Sequence, residues 1–365
     1  MSLERRINVF STLGKFLRQF ADKDAANEID DETVALNTLF YDQIENAIRS
    51  SVHYNGWFIE SNVRTALGAF AQNLNEKDIS EWIEPYRDEL EKDKGPLKVG
   101  VIMAGNIPLA GFHDFLSVLI AGNTFFGKLS SSDRILLPLI SEVLIEIEPE
   151  FKTKIIFSSG RIDGVQAVIA TGSNNTYRYF EYYFGKYPKI LRKNRNSVAV
   201  LSGNETPMNL FNLGYDIFQY FGLGCRNISK LYVPEAYDFD KFFAGIFEHQ
   251  PVENNHKYAN NYMYNKTVYL LNNHKLLENG FLILKEDKSN TSPVGMLFYE
   301  YYDDFKTLEP DLNNGLQTNL QCLVTRIETS LPTIDFGKAQ SPKLSDYADG
   351  VDTIKFQLEI EAKKV

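Results

Sequence analysis

Cysteine is scarce in this chain, and several other features are missing altogether. Only Cys225 and Cys322 occur in 365 residues, too few and too far apart for a disulfide framework, so a reducing, cytoplasmic setting is expected. The five histidines (His53, His113, His249, His256, His274) never fall at metal-ligand spacing such as HxH or HExxH, and no metal site is expected. No apolar run approaches the roughly 18 residues of a membrane-spanning helix. Met1 to Arg6 lead into amphipathic sequence with Lys15, Arg18 and Asp22, which lacks the apolar core of a signal peptide. Net positive charge is absent too. The formal charge is -10, whereas a nucleic-acid partner demands a basic surface. There is no internal repeat or low-complexity tract.

What is present suits a globular protein. A 44% hydrophobic fraction in a chain of this length can bury a large core, divided between two domains. Charged and aromatic fractions of 24% and 13% argue against disorder.

Up to about residue 92 the apolar positions recur with a helical period, as in Leu36, Leu39, Phe40, Ile44, Ala47, Ile48 and again in Ala66, Ala69, Phe70, Leu74. Tyr54 to Phe58 interrupts them as an aromatic turn, and the charged stretch Glu89 to Pro96 ends in Gly-Pro as a linker. From Leu97 the pattern alternates between strand and helix. Strands are predicted at Leu97–Ala104, Thr124–Lys128, Lys154–Ser158, Ala167–Thr171 and Ser197–Ser202. A helix is predicted over Leu109–Ala121, opened by Pro108 and closed by Gly122-Asn123, and another over Arg134–Ile147. This alternation predicts a doubly wound parallel sheet. Residues 240–330 mix helix and strand less regularly, as a second α/β lobe would. Asp352–Ile360 alternates like a terminal strand, which could pair with another subunit.

The most telling segment is Phe221-Gly222-Leu223-Gly224-Cys225-Arg226-Asn227, between the amphipathic stretch Leu210, Leu213, Ile217, Phe218 and the strand-like Ile228–Pro234. Two readings fit its thiol: a nucleophile that nothing bulky shields, or a small buried hydrophobe at a tight turn. Gly222-Leu223-Gly224 starts like GxGxxG, but Asn227 fills the last position and no strand precedes it, so it is not a dinucleotide fingerprint. Cys322, within Leu320–Val324, reads as a buried strand residue.

Three upstream stretches bear on the choice. Met103-Ala104-Gly105-Asn106-Ile107-Pro108-Leu109 places a side-chain amide ahead of a predicted helix, where donors suit developing negative charge; an ordinary capping or turn asparagine is the alternative. Ala121-Gly122-Asn123-Thr124-Phe125-Phe126-Gly127-Lys128 ends a strand on a lysine, at the edge where open parallel sheets bind ligands; a solvated lysine is the alternative. Ala170-Thr171-Gly172-Ser173 reads as an anion-cradling turn at a helix start.

In type, order and spacing these stretches and Cys225 resemble the aldehyde dehydrogenase superfamily. The resemblance covers about residues 97–235 and implies an aldehyde-dehydrogenase-like α/β fold. Its parts would be a helical N-terminal segment, a Rossmann-like cofactor domain over 1–202 with 338–365 returning to it, and an α/β catalytic domain over 203–337. It implies that Cys225 is the nucleophile and that Asn106 donates to the oxyanion. It also implies that Lys128, Ser130, Ser131, Gly172 and Ser173 bind a nicotinamide cofactor. The glycine the family places a turn after Gly-Ser is here replaced around Thr176-Tyr177.

One departure narrows the activity. Acid-forming members carry a glutamate upstream of the cysteine to activate water, yet no Asp or Glu lies between Glu181 and Glu205. Losing a general base costs about 10²–10⁴-fold, which would leave a Cys-bound thioester protected from hydrolysis. Asn194-Arg195-Asn196-Ser197, followed by Val-Ala-Val, is similar to the LuxC-type acyl-CoA reductases (fatty-acid reductases) within the superfamily. Leu316-Gln317-Thr318, Phe336-Gly337-Lys338-Ala339 and Asp349-Gly350 resemble that branch's later landmarks. The implied reaction is reduction of an acyl-CoA or acyl-carrier thioester to an aldehyde. An acyl-phosphate reductase and a catalytically silent scaffold are the alternatives. Ser131 stands where NAD-preferring relatives have a glutamate, and so admits NADPH, with NADH also usable. The basic run Lys186, Lys189, Arg192, Lys193, Arg195 reads either as a solvated face or as a hold for an anionic cofactor or carrier. A homodimer or homotetramer is expected.

Overall fold

The computed structural model describes residues 1–21, 31–92 and 95–362. Asp22 and residues 93–94 of the expected linker lie outside the described residues. The chain divides into two compact units, Met1–Lys193 with Lys343–Val365, and Asn194–Pro342.

The first unit opens with helices α1 (Leu3–Arg18), α2 (Asp31–Tyr54), α3 (Glu60–Asn73), α4 (Glu76–Ile83) and the single turn α5 (Arg87–Leu90). The helical period is realised as core except at Leu39, which is exposed: Leu36, Phe40, Ile44, Ala47 and Ile48 of α2 are buried with Phe10, Leu13 and Leu17 of α1. Arg64 of α3 crosses this bundle to both carboxylate oxygens of Glu45 at 2.9 Å. The aromatic turn appears where expected, between α2 and α3.

Five strands follow, with their helices: β1 (Lys98–Ile102), α6 (Phe112–Ile120), β2 (Thr124–Lys128), α7 (Leu136–Ile147), β3 (Ile155–Phe157), β4 (Ala167–Thr171), α8 (Asn174–Phe184) and β5 (Lys189–Arg192). All pairings are parallel, in the order β3-β2-β1-β4-β5. This is a doubly wound sheet as predicted, with the unpredicted β5 as an edge in place of the strand expected at Ser197–Ser202, and its order reverses between β1 and β4. The ends of β1 and β2 are in register, Ile102 beside Lys128, and Ile102 also lies beside Ala170 of β4.

The second unit contains β6 (Asn196–Val200), α9 (Pro207–Phe218), β7 (Ile228–Pro234), α10 (Phe239–Gly245), α11 (His256–Leu271), β8 (Leu277–Glu278), β9 (Ile283–Glu286), β10 (Met296–Tyr302), α12 (Phe305–Thr318) and β11 (Leu320–Val324). The sheet order is β11-β6-β7-β10-β9-β8, parallel except for the short antiparallel β8. Because β6 pairs with β7 and β11, residues 196–200 count with this unit and not with the first.

Two expectations are corrected. Residues 353–362 form a helix, α13 (Thr353–Ala362), in place of the expected strand over Asp352–Ile360. Thr353, Ile354, Gln357, Ile360 and Glu361 are buried, a helical spacing, while Phe356 and Leu358 pack at its margins. The even-numbered apolar residues imitate alternation only because the helix is covered broadly. Its buried polar groups are tied to the first unit. Gln357 donates to the Ser117 carbonyl (3.3 Å) and accepts from Asn123 (3.0 Å), and Asn123 accepts the Leu97 N–H (2.7 Å). The ground for subunit pairing through a terminal strand therefore falls.

The second correction concerns α6, which begins at Phe112 after Gly111 and is not opened by Pro108. Leu109 adopts left-handed backbone, φ 58°, which no helix start accepts from an L-residue. The predicted end at Gly122 (φ 83°) holds. No helix among the described residues is long and apolar enough to cross a membrane.

Candidate active site

The predicted cofactor residues of the first unit stand at the carboxyl ends of its strands, where open parallel sheets bind ligands at the reversal of strand order. Lys128 is the exposed last residue of β2. Asn106 is exposed in the turn after β1, six residues before α6, so it is not that helix's cap. Gly105 beside it fits closely: a Cβ there would come within 2.4 Å of the Ser130 hydroxyl. That hydroxyl accepts the Ser132 N–H at 3.2 Å, so Ser130 shapes the turn, whereas Ser131 is exposed.

What fixes the Asn106 turn is a residue the sequence did not announce. Asp133 accepts the N–H of the strained Leu109 at 2.8 Å, and burial pushes its carboxyl up to about 6. A bond to a charged acceptor is stronger than a neutral one, which helps to hold the left-handed residue in place.

Gly172-Ser173 lies at the start of α8 as predicted. Ser173 is the cap, accepting the Thr176 N–H at 3.3 Å and sharing a 2.9 Å bond with the Thr176 hydroxyl. A Cβ on Gly172 would meet the Phe180 ring at 2.9 Å and Thr176 at 3.1 Å. The first N–H groups of α8 and the helix dipole are the elements that suit a pyrophosphate here.

The basic run does not form one surface. Arg192 is buried and bonded by both terminal nitrogens to Asp114 of α6, at 2.6 and 2.9 Å. Arg195 donates to the carbonyls of Leu316 (3.3 Å) and Leu320 (3.0 Å), and Lys193 lies over the Tyr177 ring. The reading as a solvated face therefore fails at Arg192.

In the second unit the cysteine turn is built by a sharp reversal. After α9 the backbone passes through Tyr220 (φ 53°), Phe221 (φ 59°) and Gly222 (φ 75°), all left-handed. Such a conformation costs about 1–3 kcal/mol for each non-glycine residue unless its surroundings hold it. The Tyr220 and Phe221 rings are buried, and Asn227, itself buried, ties the turn down. Its side-chain oxygen accepts the Gly224 N–H at 2.8 Å. Its side-chain nitrogen donates to the carbonyls of Gln219 (2.8 Å) and Asp216 (3.0 Å) at the end of α9.

A second tie runs through Asp216. Its fully buried carboxylate accepts the N–H groups of Gly337 (2.6 Å) and Ala339 (2.9 Å), and the Ala339 carbonyl accepts from Arg226 at 2.6 Å. Burial pushes the Asp216 carboxyl up to about 6 against those two bonds. From β6, the Ser197 hydroxyl donates to the Cys225 carbonyl at 2.9 Å. Just beyond the turn, the buried Lys230 of β7 donates to Glu300 (2.6 Å) and to the Lys288 carbonyl (2.9 Å).

Cys225 is exposed on this held turn, whereas Cys322 is buried on β11. Burial was the premise of the packing reading, so that reading suits Cys322 alone. Gly222-Leu223-Gly224 leads into β7 and starts no helix, in keeping with its rejection as a dinucleotide fingerprint. Asp216 and Asp133 went unnamed in the sequence reading, and Asn227 and Ser197 were named only within motifs, without their supporting roles. Asp216 left a trace, a carboxylate inside the apolar stripe between Leu213 and Ile217.

Asn227→Ala is expected to lower the unfolding free energy by about 1–3 kcal/mol by leaving buried amide and carbonyl groups unpaired, as read by urea unfolding. Unchanged stability would contradict the tie. For Asp216 the folded-state value lies above the unfolded one. Its stabilising contribution is thus fully present below about pH 4 and is lost as pH rises through about 6. The stability of the native chain minus that of Asp216→Asn should therefore increase between about pH 7 and about pH 5. A difference that ignores pH would contradict the assignment.

No protein-family model matches the sequence, and no curated protein matches it. Solved structures do. Aldehyde dehydrogenase 21 from Physcomitrella patens, in complex with the reaction product succinate, superposes with a TM-score of 0.67 at 13% identity, over 99% of this chain and 85% of that one. Succinic semialdehyde dehydrogenase from Streptococcus pyogenes, in complex with NADP+, gives 0.56 at 14% identity, over 88% and 80%. An indole-3-acetaldehyde dehydrogenase in complex with NAD+ gives 0.55 at 13% identity, over 88% and 72%. The fold of this chain is that of the aldehyde dehydrogenases.

Proposed function

We propose that the chain is an NADPH-dependent acyl-thioester reductase of the LuxC type, with Cys225 as its nucleophile. The observation that carries this reading is an exposed thiol on a rigidly held turn, with no carboxylate anywhere from 182 to 204 to activate water.

The Cys225 sulfur bonds the acyl carbon of the thioester. The oxyanion takes hydrogen bonds from the Cys225 N–H and the Asn106 amide, donors whose value is greatest as charge develops. As the oxyanion collapses, the bond to the carrier sulfur breaks and the carrier leaves with a proton. The acyl-enzyme persists because no carboxylate from 182 to 204 is there to deliver water to it. When bound, the reduced nicotinamide supplies the hydride that brings the acyl carbon to the aldehyde level. The carbon–sulfur bond to Cys225 then breaks, the aldehyde departs and the Cys225 thiolate takes a proton from solvent.

Lys128 and the first turn of α8 after Gly172-Ser173 suit the cofactor's ribose and pyrophosphate. Ser131 leaves room for a 2′-phosphate. Asp133, the next carboxylate in sequence, is engaged with the Leu109 N–H and does not replace the glutamate of NAD-preferring relatives.

Acyl-CoA is expected to drive NADPH oxidation with release of aldehyde, and Cys225→Ser to abolish it while leaving the melting temperature unchanged. Turnover of acyl phosphates but not acyl-CoA would overturn the substrate assignment. Ser131→Glu should raise the KM for NADPH about tenfold through charge repulsion, and spare NADH. Equal effects on the two cofactors would refute the role of Ser131.

A further inference from the structure

The attacking form of a cysteine is its thiolate. An ordinary thiol, with a pKa of about 8.5, is only a few per cent thiolate at about pH 7. Proteins raise that fraction with a helix N-terminus, a histidine or a neighbouring cation. The Cys225 turn leads into β7 and starts no helix, and it holds no histidine. From Gln219 to Ser229 the only charged side chain is that of Arg226.

Cys225 and Arg226 are the two central residues of one tight turn, which the Asn227 N–H closes on the Gly224 carbonyl at 3.0 Å. Both are held in place. The Cys225 carbonyl accepts from Ser197 at 2.9 Å, and the Arg226 Nε donates to the Ala339 carbonyl at 2.6 Å. A carbonyl brings no countercharge, and Arg226 forms no ion pair with a carboxylate among the described residues.

The other titratable groups around the turn are engaged elsewhere. Asp216 of α9 feels the Arg226 charge, but its oxygens accept from Gly337 and Ala339. Asp335 pairs with Arg326 at 2.7 Å, and Lys230 of β7 with Glu300 at 2.6 Å. Burial pushes the hydroxyls of Tyr220 and Tyr258 up, so both stay neutral. Lys338 is exposed on the segment that receives Arg226. A held guanidinium with no carboxylate partner, one residue from an exposed thiol, suits one anion in particular.

We propose that Arg226 stabilises the Cys225 thiolate and so sets the reactivity of the nucleophile, a proposal that rests on the reading of Cys225 above. The step is an ionisation. The S–H bond breaks, the proton goes to solvent, and nothing is oxidised or reduced. Arg226 acts through Cys225 and need touch no substrate.

The test is the pH dependence of iodoacetamide alkylation at Cys225, followed by peptide mass, in the full native chain, Arg226→Gln, Arg226→Lys and Lys338→Gln. Glutamine keeps a donor for the Ala339 carbonyl and removes the charge, and thermal melts check that each variant is folded. The alkylation rate should rise through about pH 7.5 in the native chain and in Lys338→Gln, and through about 8.5 in Arg226→Gln, a roughly eightfold loss of thiolate at about pH 7. Arg226→Lys should stay closer to the native chain than to the glutamine variant. A native inflection at about 8.5 or above would overturn the proposal. So would one that Arg226→Gln leaves in place, one that only Lys338→Gln moves, or equal shifts in the glutamine and lysine variants. Should Arg226→Gln fail to fold, salt replaces it: about 1 M salt should raise the native inflection by screening the pair, and an inflection that ignores salt would refute the pairing. Acylation of the same proteins by acyl-CoA separates this proposal from the reductase reading. A shifted inflection without acylation upholds the pairing and sinks the reductase; acylation with an inflection indifferent to Arg226 does the reverse.

Discussion

The side-chain amide of Asn227 is the contact on which the Cys225 turn depends. A helix that ends leaves carbonyl groups without partners, and α9 ends in a reversal through two left-handed aromatic residues. Asn227 accepts from the turn and donates to the helix end at once, so the reversal and the thiol it presents are held as one piece. Asp216 repeats the device from the helix side, binding the Gly337–Ala339 segment whose carbonyl receives Arg226. A cysteine that merely filled space would need none of this. Exposed and yet fixed, Cys225 has the access that the proposed nucleophilic role calls for.

The first unit follows the same rule. Its parallel sheet brings three strand ends level, and the turns beyond them carry Asn106, Lys128 and Ser173. Asp133 holds Leu109 and Thr176 completes the cap at Ser173, neither of them expected to touch a ligand, while Ser130, itself an expected cofactor residue, packs against Gly105. Preorganised polar groups are effective because they need not be reorganised as charge develops. The neighbouring turns supply that preorganisation.

Much of the architecture was legible in the sequence because strand and helix periods report burial directly. The β1–β4 alternation, the buried strand of Cys322 and the Gly122 stop all rest on local pattern, whereas β5 went unread and the strand expected at Ser197–Ser202 belongs to the second sheet. Residues 353–362 misled because Ile354, Phe356, Leu358 and Ile360 alternate, while the helical burial of Thr353 and Gln357 depends on Ser117 and Asn123, far away in sequence. Pro108 misled in a similar way: a local helix-start signal yielded to the long-range bond between Asp133 and Leu109. Of the candidate site, the residues expected to meet ligands could be named from motifs. The side chains that hold them in place could not, since their partners are set only by tertiary contact.

The central claim is that Cys225 carries the acyl group. Intact-mass and peptide analysis of the chain after exposure to acyl-CoA, without a reduced nicotinamide, tests this most directly. The account predicts one acyl mass on the Cys225 peptide, stable to water over minutes and discharged when NADPH is added. An unmodified Cys225, or an acyl group on Cys322 instead, would contradict it.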